Sequence, residues 1–169
     1  MLIFCDTEFT GLHQTNARLI SMALVAGERN TFYAELPEGD GWARNECSAF
    51  VMDHVLPMLK GGRNQVARSD LKGKLLEWWA RDTRPAQIAC DSPIDFQYLK
   101  AILGEEWPAH VGGKSYYDLR PLVDTTIYDA TVQRYYRADR PRHNALNDAR
   151  AYRLGWLAWK RSGQQTVWR

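Results

Sequence analysis

Two acids, Asp6 and Glu8, close the apolar run Leu2-Ile3-Phe4-Cys5. In a strand, side chains alternate between faces, so the pair shares one face at a spacing of roughly 6–7 Å. Carboxylates that close repel each other, and at the end of a buried strand they require a cation, a proton or basic groups to neutralise them. Later segments offer three answers. Asp148, placed on a helical wheel at about 100° per residue, falls with Ala145, Tyr152, Gly155, Trp156 and Trp159 on the apolar stripe of a final helix. An acid there is rare unless it has a partner. His143 stands too far round to share that face, so it belongs in the turn before the helix, with Asn144 as N-cap. The third segment is Cys90-Asp91-Ser92-Pro93-Ile94-Asp95, a strand-to-helix junction of the kind where α/β proteins build sites. Asp95 also fits a capping box with Ser92, and Asp91 also fits as the plain end of a strand, so both acids stay open at this point.

Four acids from three segments, with one histidine beside them, form the donor set of two-metal hydrolysis. Carboxylates hold two divalent ions roughly 3.5–4 Å apart, one ion activating water and the other stabilising the leaving oxygen. Oxygen ligation favours Mg²⁺ or Mn²⁺ over zinc. A histidine beside the attacking water serves as its general base.

The elements that must position these groups read as follows. Leu2 to Phe9, Arg18 to Ala26 and Thr31 to Leu36 are strands, partly antiparallel, with Gly11 and Gly27-Glu28-Arg29-Asn30 as breaks. Pro37 to Trp42 is loop. Ala49 to Leu59 carries Phe50, Val51, His54, Val55, Met58 and Leu59 at helical spacing, with Pro57 disturbing its last turn. Ser69 to Ala80 is a helix with Leu71, Leu75, Trp78 and Trp79 inside. Gln87 to Cys90 is a short buried strand, and Ser92-Pro93 opens a helix bearing Phe96, Leu99 and Leu103. Ser115 to Leu119 is a strand, Thr125 to Tyr136 a helix, Arg137 to Arg142 a turn, and Asn144 to Trp159 the last helix. Three strands followed by alternating helices and strands predict an α/β domain with a mixed central sheet flanked by α-helices.

The 169 residues, 45% hydrophobic and 25% charged, fit a single domain over residues 1–169. A net charge of +2 permits a polyanionic partner only through a local basic patch. Cys5, Cys47 and Cys90 form neither a disulfide framework nor a zinc pattern. With no apolar run near the ~18 residues of a membrane span, the expectation is a soluble protein of a reducing, cytoplasmic compartment. His13, His54 and His110 read as ordinary histidines. Most tryptophans read as core, and Trp42 and Trp168 as surface or interface residues. The stretch Arg134-Tyr135-Tyr136-Arg137, Arg140 and Arg142 interleaves cations with rings, a composition that binds phosphates and stacks bases of single strands. Gly112-Gly113-Lys114-Ser115 is not a phosphate loop, because Pro108 stands where the first glycine is needed.

Phe4-Cys5-Asp6-Thr7-Glu8-Phe9-Thr10-Gly11-Leu12, Ile88 to Leu99, and His143-Asn144-Ala145-Leu146-Asn147-Asp148 together resemble the three motifs of the DEDDh 3′-5′ exonucleases, a family of the ribonuclease-H-like fold. The resemblance spans nearly the whole chain in the family's order. It implies that Asp6, Glu8 and Asp148 ligate one metal, that Asp6 reaches a second together with Asp95, and that His143 deprotonates the water. It also implies that Thr7 and Phe9 line the 3′-terminal nucleotide and that Leu12 packs against its base; Arg142, from the cation-and-ring stretch, is the phosphate-binding candidate beside them. Many members carry asparagine where this chain has Asp91. Asp95 precedes the aromatic residue that opens the helix face, and is therefore the acid assigned. The short length and the strand Phe32-Tyr33-Ala34-Glu35-Leu36 look closest to a small bacterial and phage exoribonuclease group with a mycobacterial member. The expected activity is release of 5′-mononucleotides from single-stranded 3′ ends, RNA before DNA, with two Mg²⁺ or Mn²⁺ and a homodimer compatible with the group. The competing readings are an inactive nucleic-acid-binding module on the same fold, a DNA-preferring exonuclease, and a hydrolase of short oligonucleotides. The intact acids and histidine argue against the first.

Overall fold

The computed structural model describes residues 1–12, 15–123 and 125–163; His13 and Trp168 lie outside them. The chain runs β1 (Leu2–Phe9), β2 (Leu19–Val25), β3 (Thr31–Glu35), α1 (Arg68–Trp79), β4 (Ala86–Cys90), α2 (Pro93–Leu103), β5 (Val111–Asp118), α3 (Thr126–Tyr136) and α4 (Ala145–Arg161). The sheet order is β3-β2-β1-β4-β5. The first three strands pair antiparallel, and β4 and β5 join β1 in parallel, so the sheet is mixed.

Alternation along β1 divides the core. Ile3 and Cys5 face the side packed with Leu71, Leu75, Trp79, Phe96 and Leu99 of α1 and α2. Phe4 faces the side packed with Tyr128, Val132, Ala149 and Trp159 of α3 and α4. Every residue of β2 is buried, as expected for a strand covered on both faces. Gly155 of α4 allows close helix packing, because a Cβ there would meet Tyr128 and Val132 side chains at 2.8–2.9 Å.

Several elements depart from the reading of the sequence. Residues 49 to 58 do not form one α-helix: Val51–Val55 is wound as a π-turn and Leu56–Met58 as a 3₁₀ turn. Pro57 has no N–H to continue an α-helical ladder, and the chain rewinds around the missing donor. Phe50, just before the π-turn, is not core but 49% exposed. Trp42 is not a surface residue. It is 4% exposed, and its Nε1–H donates to the Leu36 carbonyl at 2.9 Å, so the loop after β3 folds back over its indole. Strand β5 begins at Val111 rather than Ser115 and takes in the glycine pair. All three cysteines are free, and no helix among the described residues is long and apolar enough to cross a membrane.

Candidate active site

Thr7 and the two acids of β1 point to opposite sides of the sheet, and each side meets its partner. Asp6 and Glu8 follow Phe4 onto the α4 face, whereas Thr7 follows Ile3 and Cys5 toward α2. There the Thr7 amide and hydroxyl both donate to Asp95 Oδ1, at 3.0 and 2.6 Å. Asp95, 2% exposed, is therefore turned into the strand end and does not close a capping box. Ser92 caps α2 alone, accepting from the Ile94 amide. The parallel pairing of β1 with β4 runs through Phe4 opposite Ala89, which carries Cys90-Asp91 alongside Cys5-Asp6. Carboxylate oxygens of Asp6, Asp91 and Asp95 consequently lie within 4.8 Å of one another.

The second group comes from α4. Asn144 is its N-cap, accepting from the Asn147 amide at 3.3 Å, and the preceding His143 takes φ 60°. Asp148 is buried, accepting from the Tyr136 hydroxyl at 2.8 Å and from the His143 amide at 2.9 Å. Ligand atoms of Glu8, His143 and Asp148 also lie within 4.8 Å of one another. The four expected acids and the histidine thus line one cleft of about 680 Å³, together with Asp91, Phe9, Leu12, Phe50, Tyr136 and Arg142. The β1–β2 register slips between Glu8 and Phe9, a bulge of the kind that re-aims side chains beside sites.

Electrostatically the cleft is under strain. Burial raises Asp6 well above the usual carboxylate range, and the charges of Asp95, Asp148 and Glu8 add to it. Glu8 is raised in the same way by burial and by Asp148 and Asp95. Burial pushes Asp95 to about 8 against the lowering effect of the Thr7 hydrogen bond, and Asp148 to about 6 against that of Tyr136. His143 moves the other way, lowered by burial and by His54 and Arg142. Among the described residues, Asp6 Oδ2 is buried without a hydrogen-bond partner. An orphaned carboxylate oxygen amid acids held in common, in donor groups that are mostly oxygen, fits a divalent cation.

The residues expected to touch substrate are placed unevenly. Leu12, 69% exposed, and Phe9 line the cleft. Thr7 lines it as well, but its hydroxyl is committed to Asp95. Arg142 stacks its guanidinium 4.7 Å over the Tyr136 ring and donates to Gln133, and Arg140 covers Tyr135 at 4.6 Å. Those two tyrosine rings are accordingly not open platforms for bases, because the arginines expected to interleave with them lie on top. Tyr135 is buried, and Tyr136 belongs to Asp148.

Sequence reasoning missed several participants. Phe50 stands edge-on to His143 at 4.9 Å and to His54 at 4.7 Å, and the Ser48 amide pins the start of its segment to the Thr10 carbonyl at 2.8 Å. His54, read as ordinary, stacks 6.2 Å from His143. Glu35, 1% exposed, accepts from the Tyr33 hydroxyl at 2.6 Å and from the Lys60 and Gly61 amides at 2.7 Å. Tyr33 in turn accepts from the Asn144 side chain at 3.0 Å, which also donates to the Met58 carbonyl at 3.1 Å. The one available signal was an acid in an otherwise apolar strand sequence, Phe32-Tyr33-Ala34-Glu35-Leu36.

No protein-family model matches the chain, and no curated protein matches it in sequence. Solved structures do resemble it. Cell-death related nuclease 4 (CRN-4) superposes with a TM-score of 0.66 at 15% identity, covering 96% of this chain and 64% of that one. A moderately thermophilic exonuclease I from Methylocaldum szegediense gives 0.60 at 14%, covering 96% and 41%. S. pombe Pop2p in a form with Mg²⁺ and Mn²⁺ bound gives 0.59 at 14%, covering 94% and 82%. The chain spans less than two thirds of the first two proteins. The likeness is one of fold: the chain is α/β and ribonuclease-H-like, a mixed sheet flanked by helices.

Proposed function

We propose that the chain is a metal-dependent 3′-5′ exonuclease, a single domain over residues 1–169, that releases 5′-mononucleotides from single-stranded nucleic acid, RNA before DNA. The observation that carries this reading is the meeting of Asp6, Glu8, Asp95, Asp148 and His143, from three distant segments, in one cleft. Nuclease names among proteins of the same fold, one of them holding Mg²⁺ and Mn²⁺, support it. So does the motif resemblance, from which the RNA preference and the likeness to the small bacterial and phage group derive.

Asp6, Glu8 and Asp148 would hold one divalent ion, and Asp6 with Asp95 the other, with Asp91 close enough to share the second. Two such ions, when bound, supply an activated water and neutralise charge on the leaving oxygen. The remaining work falls to the chain. His143, its pKa lowered by burial and by its neighbours His54 and Arg142, takes the proton of the attacking water at a ring nitrogen. Phe9 and Leu12 hold the terminal nucleotide from one wall, and Arg142 attracts its phosphate. Tyr136 and the His143 amide fix both oxygens of Asp148.

A time course on matched RNA and DNA strands, each blocked at one end, tests polymer, polarity and product together. Stepwise mononucleotide release from a free 3′ end, abolished by chelation, is expected. Undiminished cleavage in chelator, or internal cuts, would overturn the reading.

A further inference from the structure

Three arginines line a second cavity, of about 300 Å³, that shares no residue with the acid-lined cleft. Arg140 comes from the turn between α3 and α4, and Arg150 and Arg153 come from α4 itself. At about 100° per residue the last two, with Leu154, stand on the side of α4 facing away from Asp148. Arg150 and Arg153 are half-buried. Among the described residues, no carboxylate pairs with them or with Arg140; Arg150 lines the cavity beside Tyr135 and Arg140 covers that ring. Glu28 is the one acid in the cavity wall, so a cationic excess remains. Half-buried guanidinium groups without a counter-charge are costly to hold, and their planar forks match phosphate oxygens in pairs.

The cavity is connected to the cleft. The turn that presents Arg140 here presents Arg142 there, two residues later and at most ~7 Å along the chain. Arg153 lies roughly 7.5 Å along the α4 axis from Asp148. Cations therefore lead out of the acid-lined cleft, around the start of α4 and into this second cavity, a path suited to a phosphate backbone. An acidic peptide would satisfy the charges but not the continuity with the cleft.

We propose that Arg140, Arg150 and Arg153 form a subsite for backbone phosphates of a single strand, upstream of the nucleotide held in the cleft. It makes affinity depend on strand length. The identity of the strand rests on the exonuclease reading, whereas phosphodiester binding in the cavity does not.

The test compares the full chain with its Arg150→Gln/Arg153→Gln double variant. In chelator the cleft repels phosphates, so anisotropy of a labelled single strand of about twelve nucleotides reports the cavity, a length within known single-strand site sizes. The variant is expected to bind at least about tenfold more weakly, and its log-affinity against log-salt slope to flatten by about 1.4, the share of two phosphate contacts. Its thermal midpoint, and its turnover of a labelled dinucleotide with Mg²⁺, should match the parent. Equal strand binding by parent and variant overturns the subsite, as does tighter binding of poly-glutamate than of the strand by the parent. If the parent cleaves nothing while the variant still loses the strand, the subsite stands and the exonuclease reading falls.

Discussion

His143 holds φ 60°, a conformation that costs a non-glycine residue of order 1–3 kcal/mol and persists only where the surroundings impose it. Here its amide is tied to Asp148, and the next residue is clamped by Tyr33 and the Met58 carbonyl. The backbone is thus fixed before any substrate arrives. His143→Ala is expected to lower turnover by about 10²–10⁴ while metal and strand affinities stay near those of the parent, read by single-turnover kinetics beside anisotropy. Equal losses in binding and rate would remove His143 from the base role. The acids of the second segment are separable in the same way. In Asp95→Asn the amide oxygen can still accept from the Thr7 amide and hydroxyl, so the fold is kept and only the charge is lost. Turnover is expected to collapse in Asp95→Asn and to fall less in Asp91→Asn. A dead Asp91 variant beside an active Asp95 variant would reverse the ligand assignment.

At the scale of elements, the edge strand β3 braces the site through Glu35, Tyr33 and Asn144. Tyr33→Phe removes the hydroxyl shared between Glu35 and the Asn144 side chain. It is expected to cost about 1–3 kcal/mol in chemical denaturation, and to lower kcat with little change in KM, because Asn144, next to the proposed base His143, loses a partner while Phe9 and Leu12 are untouched. The same scale explains what could be read in advance. β1, the α4 stripe with Asp148 on it, and the Asn144 cap all rest on periodicities of 2 and 3.6 that lie within single segments. The burial of Glu35 depends on amides 25 and 26 residues later. The grouping of Asp91 with Asp6 depends on how β4 registers on β1. The neighbouring sequence shows only that Glu35 is an acid in an apolar strand, and it names none of these distant partners. Residues 49 to 58 carried a helical pattern, and Pro57 decided how they wound. Phe50, which is exposed, could not be distinguished from a core residue by type.

For the whole molecule, the acid-lined cleft ties stability to pH. Asp95 titrates near 8 and Asp148 near 6 when folded, against about 3.9 for an unfolded aspartate. Between those values the metal-free folded state holds protons that the unfolded chain releases, so stability falls as pH rises. The thermal midpoint in chelator is expected to decline from about pH 4 to pH 8, and Mg²⁺ or Mn²⁺ to restore it most at the upper end, where protons no longer compete for the carboxylates. A midpoint that rises with pH in chelator would contradict the raised carboxylates. The position of α4 in the chain has one more consequence. During synthesis, a nascent chain that has already emerged with Asp6, Glu8, Asp91 and Asp95 still lacks His143 and Asp148, and the face bearing Phe4, Ala23 and Val25 has nothing to cover it. Elements that emerge first can fold first, but docking of this last helix both seals the core and completes the candidate cleft. A ribosome stalled before residue 143 would therefore display a fragment with that apolar face uncovered, and the candidate cleft would be assembled only once α4 is made.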